Sequence, residues 1–304
     1  MRKKAVADRR AAIHDPLPDA GEIPGSILGA NVPIQQVGCS NFRLPLRFRT
    51  EGGKVVVLET SVSGTVSLAR GRKAINMGRI VRLFYESQEE IVTFAVLRTI
   101  LAGFRRGIGA ASARLRLTFS YPIGQRSLRS GKMGWQYYRA VLEAGLDGRG
   151  HFSRVIEFDF VYSSTCPSSA ALAEHARRTR NLAAVPHSQR SKARLRLALA
   201  PGKTLGIEDL QRICAKALAT ETQVIVKRND EQAFAELSGA NLKFVEDAAR
   251  LLHGALDADR RIADFEVACV HLESLHSHDA VSAICKGVRG GFVGDFRDFS
   301  SLLC

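Results

Sequence analysis

The chain has 304 residues, 45% of them hydrophobic and 24% charged, a composition with ample length for a large buried core in one or two domains. No run approaches the roughly 20 consecutive apolar residues that a membrane helix needs, since even the most apolar stretch, 91–104, is interrupted by Thr93, Arg98 and Thr99, and no membrane partner is expected. Forty-four Lys and Arg against 30 Asp and Glu give a formal charge of +14, which attracts polyanions, yet only 7% of the residues are aromatic and the arginine pairs lack interleaved stacking rings, so nucleic acid is not the expected partner.

Residues 1–30 mix charges with Pro16, Pro18 and Pro24 and show little apolar periodicity, which reads as a flexible leader. Its basic start leads into no apolar h-region, so a secretory signal is not supported and a cytoplasmic protein is expected. Two folded halves follow, at 31–150 and 151–304. In the first, partial alternation over 54–68 predicts a long strand with one polar face. Apolar residues at helical spacing from Ile91 to Phe104 predict a helix over 89–105, stopped by Gly107 and Gly109. Strands at 113–121 and 133–144, joined by a turn around 126–131, complete that half. In the second, a strand at 152–163, a helix at 168–180 and a strand at 191–200 precede helices at 207–219 and 242–256. These two helices flank a short strand at 223–227, and a last strand falls at 262–272. Strands wrapped with helices in each half make an α+β pattern, not a strict βαβ alternation. No glycine-rich phosphate loop or dinucleotide fingerprint is present.

The six cysteines are scattered as free thiols are, and without a C-x-x-C pair a four-cysteine zinc site is excluded, although one thiolate can still join imidazole and carboxylate around a metal. Four strings concentrate such groups. In Ser164-Thr165-Cys166-Pro167 the cysteine sits where a strand breaks off, which suits an accessible thiolate, although a buried structural thiol is the commoner role of a cysteine taken alone. Pro186-His187-Ser188-Gln189-Arg190 offers an imidazole for metal or proton and a guanidinium for phosphate. Lys227-Arg228-Asn229-Asp230-Glu231, with Phe244-Val245-Glu246-Asp247 beyond it, has the look of solvated charge. His271-Leu272-Glu273-Ser274-Leu275-His276-Ser277-His278-Asp279 is harder to dismiss, because three histidines and two carboxylates follow a predicted strand, and in strand geometry His276 and His278 face the same side.

In their order and approximate spacing, Tyr162 to Pro167, Glu174 to Arg177, Pro186 to Ser191, Val226 to Glu231, Phe244 to Asp247 and Glu273 to Ala280 together resemble the type IB GTP cyclohydrolases, over roughly Val32 to Phe292. The resemblance implies two tandem T-fold halves, antiparallel sheets with helices on one face, and a homotetramer of the tunnelling-fold type with sites between subunits. It further implies conversion of GTP and water to 7,8-dihydroneopterin triphosphate and formate, the first step of tetrahydrofolate biosynthesis, with one divalent transition metal (manganese, iron or zinc) per subunit. By the same matching Cys166, His187 and Glu231 fall on metal-ligand positions, Glu246 on a further active-site carboxylate, and Glu273, His276 and His278 on the active-site Glu-x-x-His-x-His. Chemistry fills in the roles. A histidine suits proton transfer to the guanine ring nitrogen; the Glu273 carboxylate suits the N1 and N2 donors of guanine; and Arg190, Lys227 and Arg228 suit the triphosphate. The chain departs from the family at Ser168, where a second cysteine is usual, and at Lys73-Ala74-Ile75-Asn76-Met77-Gly78-Arg79, where Lys-Gly-x-His-Met-Ser-Arg is usual. These departures define the alternative expectation, a diverged T-fold purine- or pterin-binding protein with weak or no cyclohydrolase activity.

Overall fold

Alternation of apolar and polar residues builds most of the sheet. In β1 (Ile34–Arg49) Leu44, Leu46 and Phe48 point inward, and in β2 (Val55–Leu68) Val62, Gly64, Val66 and Leu68 do the same. Six further strands follow: β3 (Ala113–Arg126), β4 (Met133–Leu146), β5 (Phe152–Thr165), β6 (Ser188–Leu199), β7 (Ile262–His271) and β8 (Ala280–Cys285). The computed structural model describes residues 26–303, so most of the expected leader and Cys304 lie outside the described residues. The sheets of the two halves are continuous, one eight-stranded antiparallel sheet in the order β1 to β8, with every neighbour in sequence a neighbour in space.

The helices are α1 (Met77–Glu86), α2 (Phe94–Ile108), α3 (Pro167–Arg180), α4 (Ile207–Leu218), α5 (Arg228–Ala240) and α6 (Val245–Asp257). In the first half Ile80, Phe84, Leu97, Leu101 and Phe104 from α1 and α2 cover the inward residues of β1 to β4, and in the second Leu210, Cys214, Leu218, Ala248 and Leu252 from α4 and α6 cover β5 to β8. Gly64 is what lets α1 and α2 approach so closely, because a Cβ there would lie 2.9 Å from Ile80 and 3.1 Å from Phe104. The predicted helix at 89–105 starts later than expected. Ile91 bridges to Arg47 of β1, and Thr93 caps α2 by accepting a hydrogen bond from Val96 N at 3.2 Å. Gly107 lies inside the helix, and Gly109, at φ 69°, ends it.

The predicted strand at 223–227 is not a strand. Val224 N donates to Gln125 Oε1 at 3.0 Å, and the segment crosses the start of β4 over Gly134 instead of joining a ladder. Four elements went unpredicted: the strand β1, the helices α1 and α5, and the strand β8 at the sheet edge. α5 buries only Asp230, whose carboxylate accepts from Arg129 N (2.8 Å), Ser130 N (2.8 Å), Ser130 Oγ (2.6 Å) and Lys227 N (2.8 Å). Burial opposes ionisation of that carboxyl, but the Ser130 hydroxyl and the converging backbone N–H groups outweigh it and hold the carboxyl far below its usual range.

The opposite face of the sheet carries ions. Arg116 pairs with Glu143, Arg139 Nη1 with Glu157 Oε1 at 2.6 Å, and Arg194 with Asp159 through two bonds of 2.6 and 2.7 Å. The chain beyond β8 folds back over this face. Arg194 donates to Ser301 Oγ at 2.6 Å, Phe292 lies under the Arg196 guanidinium, and Leu302 is buried against Ala268 and Val270.

Candidate active site

The end of the sheet at which β5 and β7 finish and β6 begins gathers the chemistry. β5 stops at Thr165. Pro167 takes the first turn of α3, where its missing N–H costs nothing, and this makes Cys166 the N-cap, its Sγ accepting from Ser169 N at 3.5 Å. After α3 the chain returns to β6 beside the point it left. Cys166 N donates to His187 O at 3.2 Å, His187 N donates to Ser169 Oγ at 3.2 Å, and Thr165 pairs with Ser188. The local geometry thus sets Cys166 and His187 side by side although 20 residues separate them.

The loop after β7 is tied to the same corner by Leu272 N to Arg190 O and Ser274 Oγ to Ser188 O, both 3.3 Å. It brings Glu273 Oε2 within 3.3 Å of His187 Nδ1. His276 and His278 stand in that loop and not in a strand, yet they do share a side, with parallel rings 4.7 Å apart. Glu246, in the first turn of α6, closes the ring. Cys166, Ser168, His187, Glu246, Glu273, His276 and His278 line one cleft of about 630 Å³. A larger and more apolar cavity of about 820 Å³ lies between α2 and α4, but its one carboxylate, Glu208, is already bonded by the Tyr121 hydroxyl at 2.6 Å and by Glu51 N at 2.9 Å. It lacks the convergent acid, base and sulfur groups of the smaller cleft.

Four of the expected site residues lie apart from this cleft within one chain. Lys227, Arg228 and Glu231 line a separate exposed groove at the start of α5, the groove anchored by Asp230. Arg190 is exposed on β6 and contributes its carbonyl, not its guanidinium, to the corner. Among the described residues no three His, Cys, Asp or Glu side chains stand together as a metal site.

Beneath the cleft lies a layer to whose residues the sequence reading gave no role of their own. The Tyr162 hydroxyl meets His271 Nε2 at 3.0 Å with both side chains buried. Lys243, also buried, reaches Thr220 Oγ1 at 3.2 Å, and its backbone N–H donates to Thr165 O, next to Cys166. Burial lowers the Lys243 ammonium to about 8, and burial together with the Lys243 charge lowers His271 from 6.5 to about 4. Gln189, 8% exposed, accepts from His187 Nδ1 at 3.0 Å and donates to Ser164 Oγ at 2.8 Å. The only sequence signal for these residues is that each sits in or beside a recognised string.

The model of one protein family, described as type I GTP cyclohydrolase folE2, matches residues 20–282. The chain belongs to this FolE2 family of type I GTP cyclohydrolases. A GTP cyclohydrolase FolE2 of Paracoccus denitrificans is 53% identical over 272 residues, which is 89% of this chain and 84% of that protein. Another FolE2, from Cereibacter sphaeroides, is also 53% identical over 272 residues, covering 89% of this chain and 76% of its own. All the cleft residues named above fall inside the FolE2 match, whereas the segment that folds back over the ionic face, from Lys286 onward, lies beyond it. Among solved structures the uricase of Arthrobacter globiformis superposes with a TM-score of 0.52 at 9% identity, over 91% of this chain and 100% of that one, which is a likeness of fold alone. The α+β class and the two tandem T-fold halves expected of the sequence are what this FolE2-family chain adopts. Among the described residues no helix is long and apolar enough to cross a membrane.

Proposed function

We propose that this FolE2-family chain is a type IB GTP cyclohydrolase I, converting GTP and water to 7,8-dihydroneopterin triphosphate and formate as the first step of tetrahydrofolate biosynthesis in the cytoplasm. The observation that carries the reading is the meeting of Cys166, His187, Glu246, Glu273, His276 and His278 on one cleft. Residues 31–150 form the N-terminal T-fold half in this account, and residues 151–304 the half with most of the site.

The donors fit a transition metal. A sulfur and an imidazole suit zinc and iron, and a carboxylate added to them admits manganese, whereas calcium and magnesium call for oxygen donors throughout; His187 Nδ1 is already bonded to Gln189 and Glu273, which leaves Nε2 for the cleft. Cys166 and His187 would hold it, and Glu231 would complete the set from a neighbouring subunit, since within one chain it belongs to a different groove. A divalent metal there supplies Lewis acidity that makes water a better nucleophile at neutral pH. The chain's own residues do the rest. Glu273 accepts from guanine N1 and N2, which fixes the base. His276 or His278 delivers a proton to the ring nitrogen as the bond to C8 breaks, and Glu246 holds the opposite wall. Arg190, Lys227 and Arg228 bind triphosphate, with Lys227 and Arg228 arriving beside Glu231 from the neighbour in a homotetramer.

Mixing two inactive variants tests this arrangement. Cys166→Ala and Glu231→Gln each leave every site of a homotetramer damaged, whereas subunit exchange between them rebuilds sites with both residues intact, up to about a quarter of the total if the ring mixes at random. Activity that stays at zero after exchange has been demonstrated by mass would rule out Glu231 acting across subunits. The alternative reading, a diverged binding protein with weak or no turnover, is favoured by one observation: Asn76 stands where the family has histidine, and its side chain makes no capping bond to α1. Such a protein binds GTP and releases no formate with any metal.

A further inference from the structure

On the strength of the reading of the cleft as a metal site, we infer that Gln189 is a positioning residue: it locks His187 with its proton on Nδ1 throughout turnover and so presents an unprotonated Nε2 to the cleft. Two acceptors face the same nitrogen, Gln189 Oε1 at 3.0 Å and Glu273 Oε2 at 3.3 Å. A carboxylate can only accept, so Nδ1 carries the hydrogen, and Gln189 must then turn its oxygen and not its amide nitrogen toward the ring. The far end of the amide agrees. Nε2 donates to Ser164 Oγ at 2.8 Å, and Ser164, fully buried, is paired in turn with Ser191 Oγ at 2.8 Å.

The two acceptors differ in what else they do. Glu273 lines the cleft, and in the proposed reaction its carboxylate turns to guanine, which takes it away from His187 at the moment the imidazole must be held. Gln189 is buried and fastened at its other end by the serine pair, so it has nowhere to go. It keeps the Nδ1 hydrogen bonded while Glu273 changes partners. A neutral imidazole left without either acceptor samples both tautomers, and the one with hydrogen on Nε2 offers the cleft a donor where a ligand lone pair is needed.

The test uses the metal-free full-length protein, nitrogen-resolved NMR of His187 at pH 8, and zinc affinity by competition with a chelator. Wild type is expected to show hydrogen on Nδ1, and Glu273→Gln to keep it, because Gln189 suffices. Gln189→Leu combined with Glu273→Leu, which leaves Nδ1 neither acceptor, should show a mixture of tautomers and bind zinc ~10- to 100-fold more weakly than Glu273→Leu alone while circular dichroism is unchanged. Gln189→Glu, which keeps an acceptor, should retain most of the affinity. Should the double variant fail to fold, Ser164→Ala combined with Glu273→Leu, which frees the amide to turn over, is expected to give the same losses to a smaller extent. A wild-type His187 with hydrogen on Nε2 overturns the inference, as does a folded Gln189→Leu/Glu273→Leu protein with unchanged tautomer and the zinc affinity of Glu273→Leu. If His187 behaves as described but wild type binds no zinc, the positioning role stands and the metal reading of the cleft is what fails.

Discussion

Acidification from pH 7 to 5 should weaken the fold through His271 in particular. In the folded chain burial and the nearby Lys243 charge lower this imidazole from 6.5 to about 4, so it stays neutral against the Tyr162 hydroxyl, while in the unfolded chain it titrates at its ordinary value. Its contribution to stability is therefore fully present above pH 6.5 and is lost progressively as pH falls toward 4. Proton uptake by the unfolded state alone costs about 1.4 kcal/mol per pH unit in that window, so the loss between pH 7 and 5 is about 2 kcal/mol from this one group. The assay is urea unfolding at pH 7, 6 and 5 for wild type and His271→Gln, whose amide cannot titrate. Carboxylates that change charge over the same range do so in both proteins, so the difference of the two slopes isolates the imidazole. Wild type should lose about 2 kcal/mol more than the variant over the window. Parallel slopes would refute the claim that His271 is held neutral in the layer beneath the cleft.

Arg194→Met should cost about 3–5 kcal/mol in chemical denaturation, because it removes both short hydrogen bonds of the buried Asp159 carboxylate and leaves it only Arg139 at 3.7 Å; a loss within experimental error would mean that the ionic face relaxes freely. Leu302→Ala should lower stability by about 2–5 kcal/mol if the returning C-terminal segment is packed as part of the domain, read as a fall in melting temperature, and no fall would detach that segment from the fold. Asn76→His, measured beside wild type at matched metal content, should raise turnover only modestly. A missing general acid costs roughly 10²–10⁴-fold, so rescue on that scale from an inert wild type would show that the proton donor lies in the N-terminal half and not at His276 or His278.

The second-half motif strings were legible because each falls at the end of a strand or helix that its own periodicity announces. Cys166 follows the alternating β5, and Glu273 follows the apolar β7, so the fold brings them together by finishing the two strands that flank β6 at one end of the sheet. β1 escaped notice because its first half is polar and its alternation is broken between Cys39 and Phe42, where Asn41 takes a positive φ of 56°. α5 was hidden for the opposite reason: it has no apolar stripe and is held by the Asp230 carboxylate, which hydrophobic periodicity does not register. At 223–227 the β-branched residues Val224, Ile225 and Val226 gave a strand signal that tertiary structure overrode, because the backbone there meets a glutamine side chain and not a neighbouring strand. Spacing also says nothing about which side of the fold a charge run occupies, which is why Lys227, Arg228 and Glu231 turn out to share a groove with one another and not with Cys166. Gln189 and Lys243 acquire their roles from neighbours distant in sequence, which no local pattern marks, and His271, though it opens the histidine string, turns into the buried layer and not into the cleft.

The most direct measurement is an anaerobic assay of the full chain reconstituted with manganese, iron or zinc, following formate released from GTP together with the fluorescence of the oxidised pterin, beside Cys166→Ala at equal protein concentration. Formate and pterin should appear in equal amounts with wild type, and Cys166→Ala should lose both tight metal retention and turnover. Formate released at the wild-type rate by Cys166→Ala, or GTP bound by wild type without formate under every metal, would contradict the assignment of this cleft as the cyclohydrolase site.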